Sequence, residues 1–380
     1  MQLELEWPFK RHAGIFAGTQ KYAGEHSWQS IVDENPDATL QKYSGNPASY
    51  DGIIARATGK LARRAARANI PVVNVWLSSP AAASLPGVFP DYSAQGRLRA
   101  EHLLTRGFSH FAALTADENR GESLELEAFT NTVREAGYRC ASAKVSLDAF
   151  SGIHWRRTER TIATWMSGWK RPIGIYIGTE LLGRVVAQAC HNRGWRVPED
   201  VAIIAGRNEE MLCESLHPTL SSMEVGYDHI GYEAARLLDR LMNGEPPPRG
   251  PILIPPEGVV VRESTDFFAV DDPLIAAALR FIAANSHLEI GQDDVARAVD
   301  TGSRTLQRRF QKHLKRPIAA EIRRVRIERA KRELAQGSLP LKEIARKVGF
   351  GETMQMYTVF RRDLGVTPSQ YRKDRENRQT

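Results

Sequence analysis

LKEIARKVGFGETMQMYTVFRRDLGVTPSQYR, residues 341–372, reads as a short helix that stops at Gly349, a tight turn, and a second helix rich in basic residues. Ile344, Ala345 and Val348 fall on one helical face. The small Ala345 lets a crossing helix come close, and Gly349 takes positive φ at no steric cost. The second helix, about Glu352–Arg362, turns Met356 and Phe360 inward at an i, i+4 spacing. It leaves Thr353, Met354, Thr358 and Arg361 outward, where a major groove can be read. This is the pattern of a helix-turn-helix, with an ordinary αα-hairpin as the alternative on these residues alone.

Working upstream, everything from Pro273 onward has helical spacing. LIAAALRFIAAN (274–285) is followed by QDDVARAV (292–299) and SRTLQRRFQKHL (303–314), a second helix-turn-helix pattern. Leu306 and Phe310 point inward, while Arg304 and Arg308 lie one helical turn apart on the opposite edge. Each guanidinium there can offer a bidentate fork to a guanine or a phosphate; a solvated charged face is the plainer alternative. Thr305 and Arg309 complete the candidate DNA contacts on this helix. PIAAEIRRVRIERAKRELAQG (317–337) reads as a long connector with Ile318, Ile322, Val325 and Leu334 as its inward stripe. The expectation is two units, 292–314 and 341–362, in tandem. A connector that held them about 34 Å apart would let both recognition helices enter successive major grooves on one face of DNA.

The charge distribution agrees. Residues 271–380 hold 23 lysines and arginines against 14 acids, whereas residues 1–270 hold 29 against 31, so the whole basic excess of the chain is C-terminal. A one-sign excess on a small domain draws polyanions, which makes double-stranded DNA the expected partner of that part alone. No apolar run approaches the roughly 18 residues of a membrane span, and MQLELEWPFKRH lacks the order of a secretory signal, so a cytoplasmic protein with no membrane partner is expected. Cys140, Cys190 and Cys213 are widely spaced and form no metal pattern, which points to core thiols rather than a disulfide framework or zinc site.

From about Ala13 to Pro256 short apolar runs alternate with amphipathic stretches, the signature of a parallel sheet with crossover helices. The expected strands are 13–18, 51–55, 71–76, 110–115, 140–145, 173–178 and 201–206, with helices at 96–107, 123–137, 180–194 and 230–244. About 240 residues is long for one doubly wound unit, and two α/β lobes sharing a cleft are expected. No phosphate-binding glycine loop and no hydrolase or paired-carboxylate spacing stands out, so neither an enzyme nor a cofactor is indicated. The tryptophans (Trp7, Trp28, Trp76, Trp155, Trp165, Trp169 and Trp195) read mainly as packing residues, any one of which could instead stack on a ligand. His102, His110, His191 and His217 read as structural. The proline-dense stretch 243–273 carries two further short strands, ILI and VVV. A boundary after them, near Asp271, divides the chain into residues 1–270 and 271–380.

Residues 274–372 resemble the arabinose-regulator (AraC/XylS) DNA-binding domain, whose second unit typically reads I-x-E-I-A-x-x-V-G-F before an F-x-x-x-x-G-x-T/S-P-x-x-Y-R tail. The corresponding segments here are LKEIARKVGF and FRRDLGVTPSQYR. VPEDVAIIAGRNEEMLCESLHPTLSSMEVGYDHIGYEAARLLDRLMNGEPPP resembles the effector domain of LacI/GalR repressors, which has the periplasmic sugar-binding protein fold. The join between the two parts is similar to that of bacterial xylose operon regulators. The resemblance implies a homodimeric transcription regulator that binds a sugar or sugar derivative between two lobes and adjusts its grip on an operator. Asp91, Arg120, Glu125, Glu180, Arg207 and Asn208 are the cleft residues it suggests. Two positions depart from the pattern. Where the sensor family usually has Asp-Asn after the VAIIAG strand this chain has Arg207-Asn208, and a family arginine aligns with Glu125. Either a reciprocal swap keeps a Glu125/Arg207 pair in the cleft, or the ligand has changed from xylose, an acidic one included. In the DNA-binding part Asp300 stands where a turn glycine is common, and aspartate tolerates that left-handed backbone.

Overall fold

Strands β6 (Ile173–Ile177) and β7 (Val201–Ala205) are buried at every residue, as parallel strands covered on both faces must be. The computed structural model describes residues 10–32, 40, 50–117, 119–146, 155–270, 272–314, 316–336 and 339–379; Trp7 and Asp271 lie outside them. With β4 (Phe111–Ala116) and β5 (Cys140–Val145), β6 and β7 form a parallel sheet ordered β5-β4-β6-β7, in which Leu114 pairs with Ile177 and Ile177 with Ala205. Helices α3 (Tyr92–Thr105) and α4 (Arg120–Glu135) cover one face through Leu103, Phe129 and Val133. Helices α5 (Trp155–Ser167) and α6 (Glu180–Asn192) cover the other through Ile162, Met166, Leu182 and Val186. These elements, with the short helix α7 (Glu210–Glu214) after β7, form one lobe, the second in chain order.

The first lobe is built from α1 (Lys10–Glu25), β1 (Ile53–Ala55), α2 (Gly59–Arg67), β2 (Val72–Asn74) and β3 (Val88–Pro90). It is completed by α8 (Tyr227–Met242) and β9 (Ile252–Ile254), which return to it after the second lobe. β1 pairs with β2 and β3 with β9, both in parallel, and a bridge from Asn74 to Gly87 joins the two pairs. Three stretches cross between the lobes: β3 into α3, β8 (Ser222–Glu224) into α8, and β9 into β10 (Gly258–Val260). They are laced by Asp91 N–H to Ile254 O at 2.7 Å, Glu257 N–H to Glu224 O at 2.9 Å, and antiparallel pairing of β8 with β10.

One expected strand is wrong. AGIFAG, residues 13–18, lies inside helix α1. Its glycines serve a helix crossing: a Cβ on Gly18 would fall 1.7 Å from the Asp228 carbonyl oxygen of α8, and one on Gly231 would fall 2.0 Å from that of Ile15. The two backbones touch where no side chain fits. β3 and β8, three residues each, gave no readable alternation.

The C-terminal part is helical throughout: α9 (Pro273–Asn285), α10 (Gln292–Ala298), α11 (Ser303–Leu314), α12 (Ile318–Gln336), α13 (Leu341–Lys347), α14 (Thr353–Leu364) and α15 (Pro368–Gln379). It holds two cores. Ile275, Ile282, Leu306, Phe310, Ile318 and Ile322 fill the first; Ile327, Ala330, Leu334, Ile344, Met356 and Phe360 fill the second. α12 serves both, turning its first half to one core and its second half to the other. Arg326 fixes their relation by donating to the carbonyls of Ser286 at 2.9 Å and Leu288 at 2.8 Å, and Arg329 donates to Ala283 O at 2.8 Å. Asp300 adopts φ of 50°, as the turn requires.

Between the second lobe and the helical part runs Phe267-Phe268-Ala269-Val270. Phe267 and Ala269 pack against the core of the second lobe, whereas Phe268 and Val270 pack against the first helical core. The side chains of this junction alternate between two domains.

Candidate ligand cleft and nucleic-acid interface

In open α/β sheets ligands sit outside the carboxyl ends of parallel strands. The polar residues of this chain gather there: Arg56 follows β1, Trp76 lies two residues beyond β2, Glu180 opens the helix after β6, and Arg207 and Asn208 follow β7. Lys10, first residue of α1, reaches from the first lobe to the second. Its backbone N–H lies 3.0 Å from Glu209 Oε1, and its Nζ lies 3.3 Å from Glu210 and 2.6 Å from the crossing residue Glu224.

At the centre Arg207 donates through Nη2 to Glu125 Oε1 at 2.8 Å. The two positions that depart from the expected pattern are thus paired with each other. Glu125 is fully buried and has two further partners, the Tyr176 hydroxyl and Arg99 at 3.5 Å. Arg99 is itself inaccessible, lies 4.8 Å from the Tyr176 ring centre, and donates to Gly206 O at 2.8 Å. Burial opposes the charge on Arg207, but the carboxylates of Glu125 and Glu122 outweigh it and hold the guanidinium well above its ordinary pKa. Burial likewise pushes the Tyr176 phenol far up, helped by the Glu125 charge, so it stays a donor. Burial raises Glu122 against the opposing pull of Arg207 and the Ala116 amide.

Other expected cleft residues have internal duties. Glu180 accepts the N–H groups of Arg207 at 2.6 Å and Glu209 at 3.0 Å, pinning the loop after β7. Asp91 caps α3 by accepting from Ala94 N at 2.8 Å. Asn208, at φ of 61°, donates to Glu224 at 2.6 Å and accepts from Arg262 at 2.8 Å. Arg120 is exposed at the start of α4, apart from this network. Sequence reasoning missed Arg99, although it stands one helical turn before Leu103 on an apolar face, and Tyr176, the one polar side chain in an aliphatic strand. Trp165 and Trp169 meet edge to face at 4.7 Å in the second lobe, whereas Trp76 lies beneath the Arg56 guanidinium at 4.7 Å, at a strand end.

In the helical part, Leu306, Phe310, Met356 and Phe360 are fully buried, which fixes what their helices show to solvent. α11 exposes Arg304 and Arg308, with Thr305 half-buried beside them. A shallow depression lined by Gln292, Arg304, Gln307, Arg308, Gln311 and Lys312 runs along this face. Arg309 turns elsewhere and pairs with Asp272, the N-cap of α9, at 3.0 Å. α14 exposes Met354, at 72% of its surface, with Thr358 and Arg361, and Thr353 is half-buried at its start. Among the described residues no group of three or more His, Cys, Asp or Glu could hold a metal, and no helix is long and apolar enough to cross a membrane.

The periplasmic binding protein-like domain family matches residues 100–265, and a helix-turn-helix domain family matches residues 295–374. The Xylose operon regulatory protein of Escherichia coli (strain K12) is 29% identical over 372 residues, covering 94% of this chain and 93% of that protein. The protein of the same description from Haemophilus influenzae is 29% identical over 339 residues, 86% of each chain. A solved structure, that of the xylose-binding transcription activator xylR, superposes with a TM-score of 0.58 at 25% identity, over 97% of this chain and 96% of that one.

Proposed function

We propose that this chain, a xylose-operon-regulator-like transcription factor with a periplasmic-binding-protein-like sensor joined to an AraC-type reader, is a DNA-binding regulator controlled by a small carbohydrate-like ligand. The observation that carries the reading is the pairing, in one chain, of a two-lobed cleft with tandem helix-turn-helix units whose recognition faces are open. A cleft ligand that prefers one lobe arrangement can shift operator affinity by no more than its differential affinity, typically about 1–3 kcal/mol. A route for that shift is at hand: α3 carries Arg99 in the cleft network and ends beside Arg106. Arg106 donates to Thr265 O and accepts from Ala269 N–H, each at 2.7 Å, and its guanidinium lies 5.6 Å from the Phe268 ring centre.

Direct base reading falls chiefly to Arg304 and Arg308, with Thr305, Thr353, Met354, Thr358 and Arg361 completing the contact surface. Arg309, held by Asp272, contributes through the position of α11 instead. A homodimer in the cytoplasm is the working form this reading implies. Fluorescence anisotropy with a duplex selected from a random pool tests it. Arg304→Ala and Arg308→Ala are expected to lose about 1–3 kcal/mol of preference for that duplex over a scrambled one. Equal weakening on both duplexes would remove the base-reading role. A solute-binding protein for uptake, built on the same sensor fold, would gain nothing from the fused basic reader.

A further inference from the structure

The donors and acceptors of the cleft are unevenly committed. On the second lobe the carboxylates already have internal donors. Glu125 is held by Arg207, Arg99 and Tyr176, and Glu180 by two backbone amides. Glu122 accepts from Ala116 N at 2.7 Å and Asn119 Nδ2 at 3.0 Å, and Glu209 accepts from the Lys10 N–H at 3.0 Å. Each of these carboxylates is already held by a donor of the protein, so a sugar hydroxyl would have to share it. On the first lobe the balance is opposite. Arg56 stands at the carboxyl end of β1 with its guanidinium 4.7 Å from the Trp76 ring centre, and Arg11 follows the cleft-spanning Lys10. Among the described residues neither Arg11 nor Arg56 has an ion pair or hydrogen bond, Arg56 resting against the Trp76 ring alone. Burial and the Arg11 charge hold Arg56 below its ordinary pKa, and burial with both arginines depresses His12. Arg11 also lies within electrostatic reach of Tyr92, Tyr227 and Glu209, residues from the far side of the cleft and from the start of α8.

We propose that the effector is anionic, a sugar-sized molecule whose carboxylate or phosphate is bound by Arg11 and Arg56 on the first-lobe wall, with Trp76 flanking it. The proposal rests on the sensor reading above and names its ligand class. An anion there would supply the fork-matching oxygens that no described residue gives to either guanidinium group. In closing it down, the first lobe would meet an already neutralised Arg207–Glu125 pair, which excludes a second acid from the opposite wall.

The experiment is calorimetric titration and thermal shift on the full chain at fixed ionic strength. The probes are D-xylose and D-glucose, D-gluconate and D-glucuronate, and D-glucose 6-phosphate. Stabilisation by a charged probe but not its neutral counterpart is expected, the carboxylate and phosphate arms deciding which anion is read. Arg56→Gln and Arg11→Gln should each weaken the charged probe at least tenfold while the unliganded protein nearly keeps its melting temperature, because among the described residues neither side chain has an ion pair or hydrogen bond to lose and Arg56 gives up only its contact with the Trp76 ring. Stabilisation by D-xylose that Arg56→Gln leaves intact would overturn the anion assignment and keep the sensor reading. Failure of every probe to shift the melting temperature would count against both.

Discussion

Glu321 shows how a single side chain can be worth more than its sign suggests. It is 1% exposed on the connector α12 and holds Arg316 at 2.7 Å and Arg324 at 2.6 Å. Burial alone would raise its pKa, but hydrogen bonding from Arg324 and the charges of Arg324 and Arg316 outweigh it and leave the group below its ordinary value. A carboxyl group depressed on folding contributes stability that is fully present above the unfolded pKa and is lost as pH falls through the folded one. Glu321→Gln should therefore cost about 2–3 kcal/mol near neutrality, somewhat less than a fully enclosed pair because both arginines are about one-third exposed. Urea titrations should show that deficit shrinking once the pH drops below the carboxylate range; a deficit constant down to pH 3 would contradict the assignment. Glu125 is the sensor counterpart. Glu125→Ala strands Arg99 and Arg207 without their common partner and should cost about 3–5 kcal/mol of sensor stability.

At the scale of elements, what could be read in the sequence depended on length and period. Helices α9 to α14 were legible to within a few residues because each carries an apolar stripe with capping or turn residues at its ends. β6 and β7 were legible as unbroken aliphatic runs. α1 was not: Gly14 and Gly18 interrupt an apolar run in a way that looks like a strand edge, and only the approach of α8 reveals them as contact points. In the site, Arg207 and Glu125 were visible as departures from a family pattern. Arg11 and Arg56 were not, since an exposed arginine in one chain looks like any other until the strand ends bring it to a cleft. The turn of the second reading unit provides a sharp test. Gly349 has φ of 90°, and a Cβ there would lie 2.2 Å from the Ser286 carbonyl oxygen. Gly349→Ala combines left-handed strain with a backbone clash and is expected to cost roughly 2–4 kcal/mol, measured as lower thermal stability together with lost operator binding. Because Ser286 belongs to the end of α9, the damage should reach the first reading unit as well, visible as broadened amide signals there.

For the whole molecule the decisive feature is that residues 267–270 pack by turns into the sensor and the reader. Inserting one alanine between Phe267 and Phe268 would displace the alternation by a single residue, so that Phe268 and Val270 no longer face the helical core. The ligand should still raise the melting temperature of the sensor, while the effector-dependent change in operator affinity, about 1–3 kcal/mol if typical, should vanish. Parallel thermal-shift and anisotropy measurements separate the two effects; retained ligand response in anisotropy would show that the signal travels another way.

The same four residues bear on how such proteins can be recombined. Phe267 and Ala269 are part of one domain's interior, Phe268 and Val270 part of another's, so no peptide bond from Phe267 to Val270 can be cut to release two intact modules. A graft of this sensor onto a different reader must carry over a seam two residues deep on each side, and a donor whose seam differs will fail as a fusion even when both halves fold.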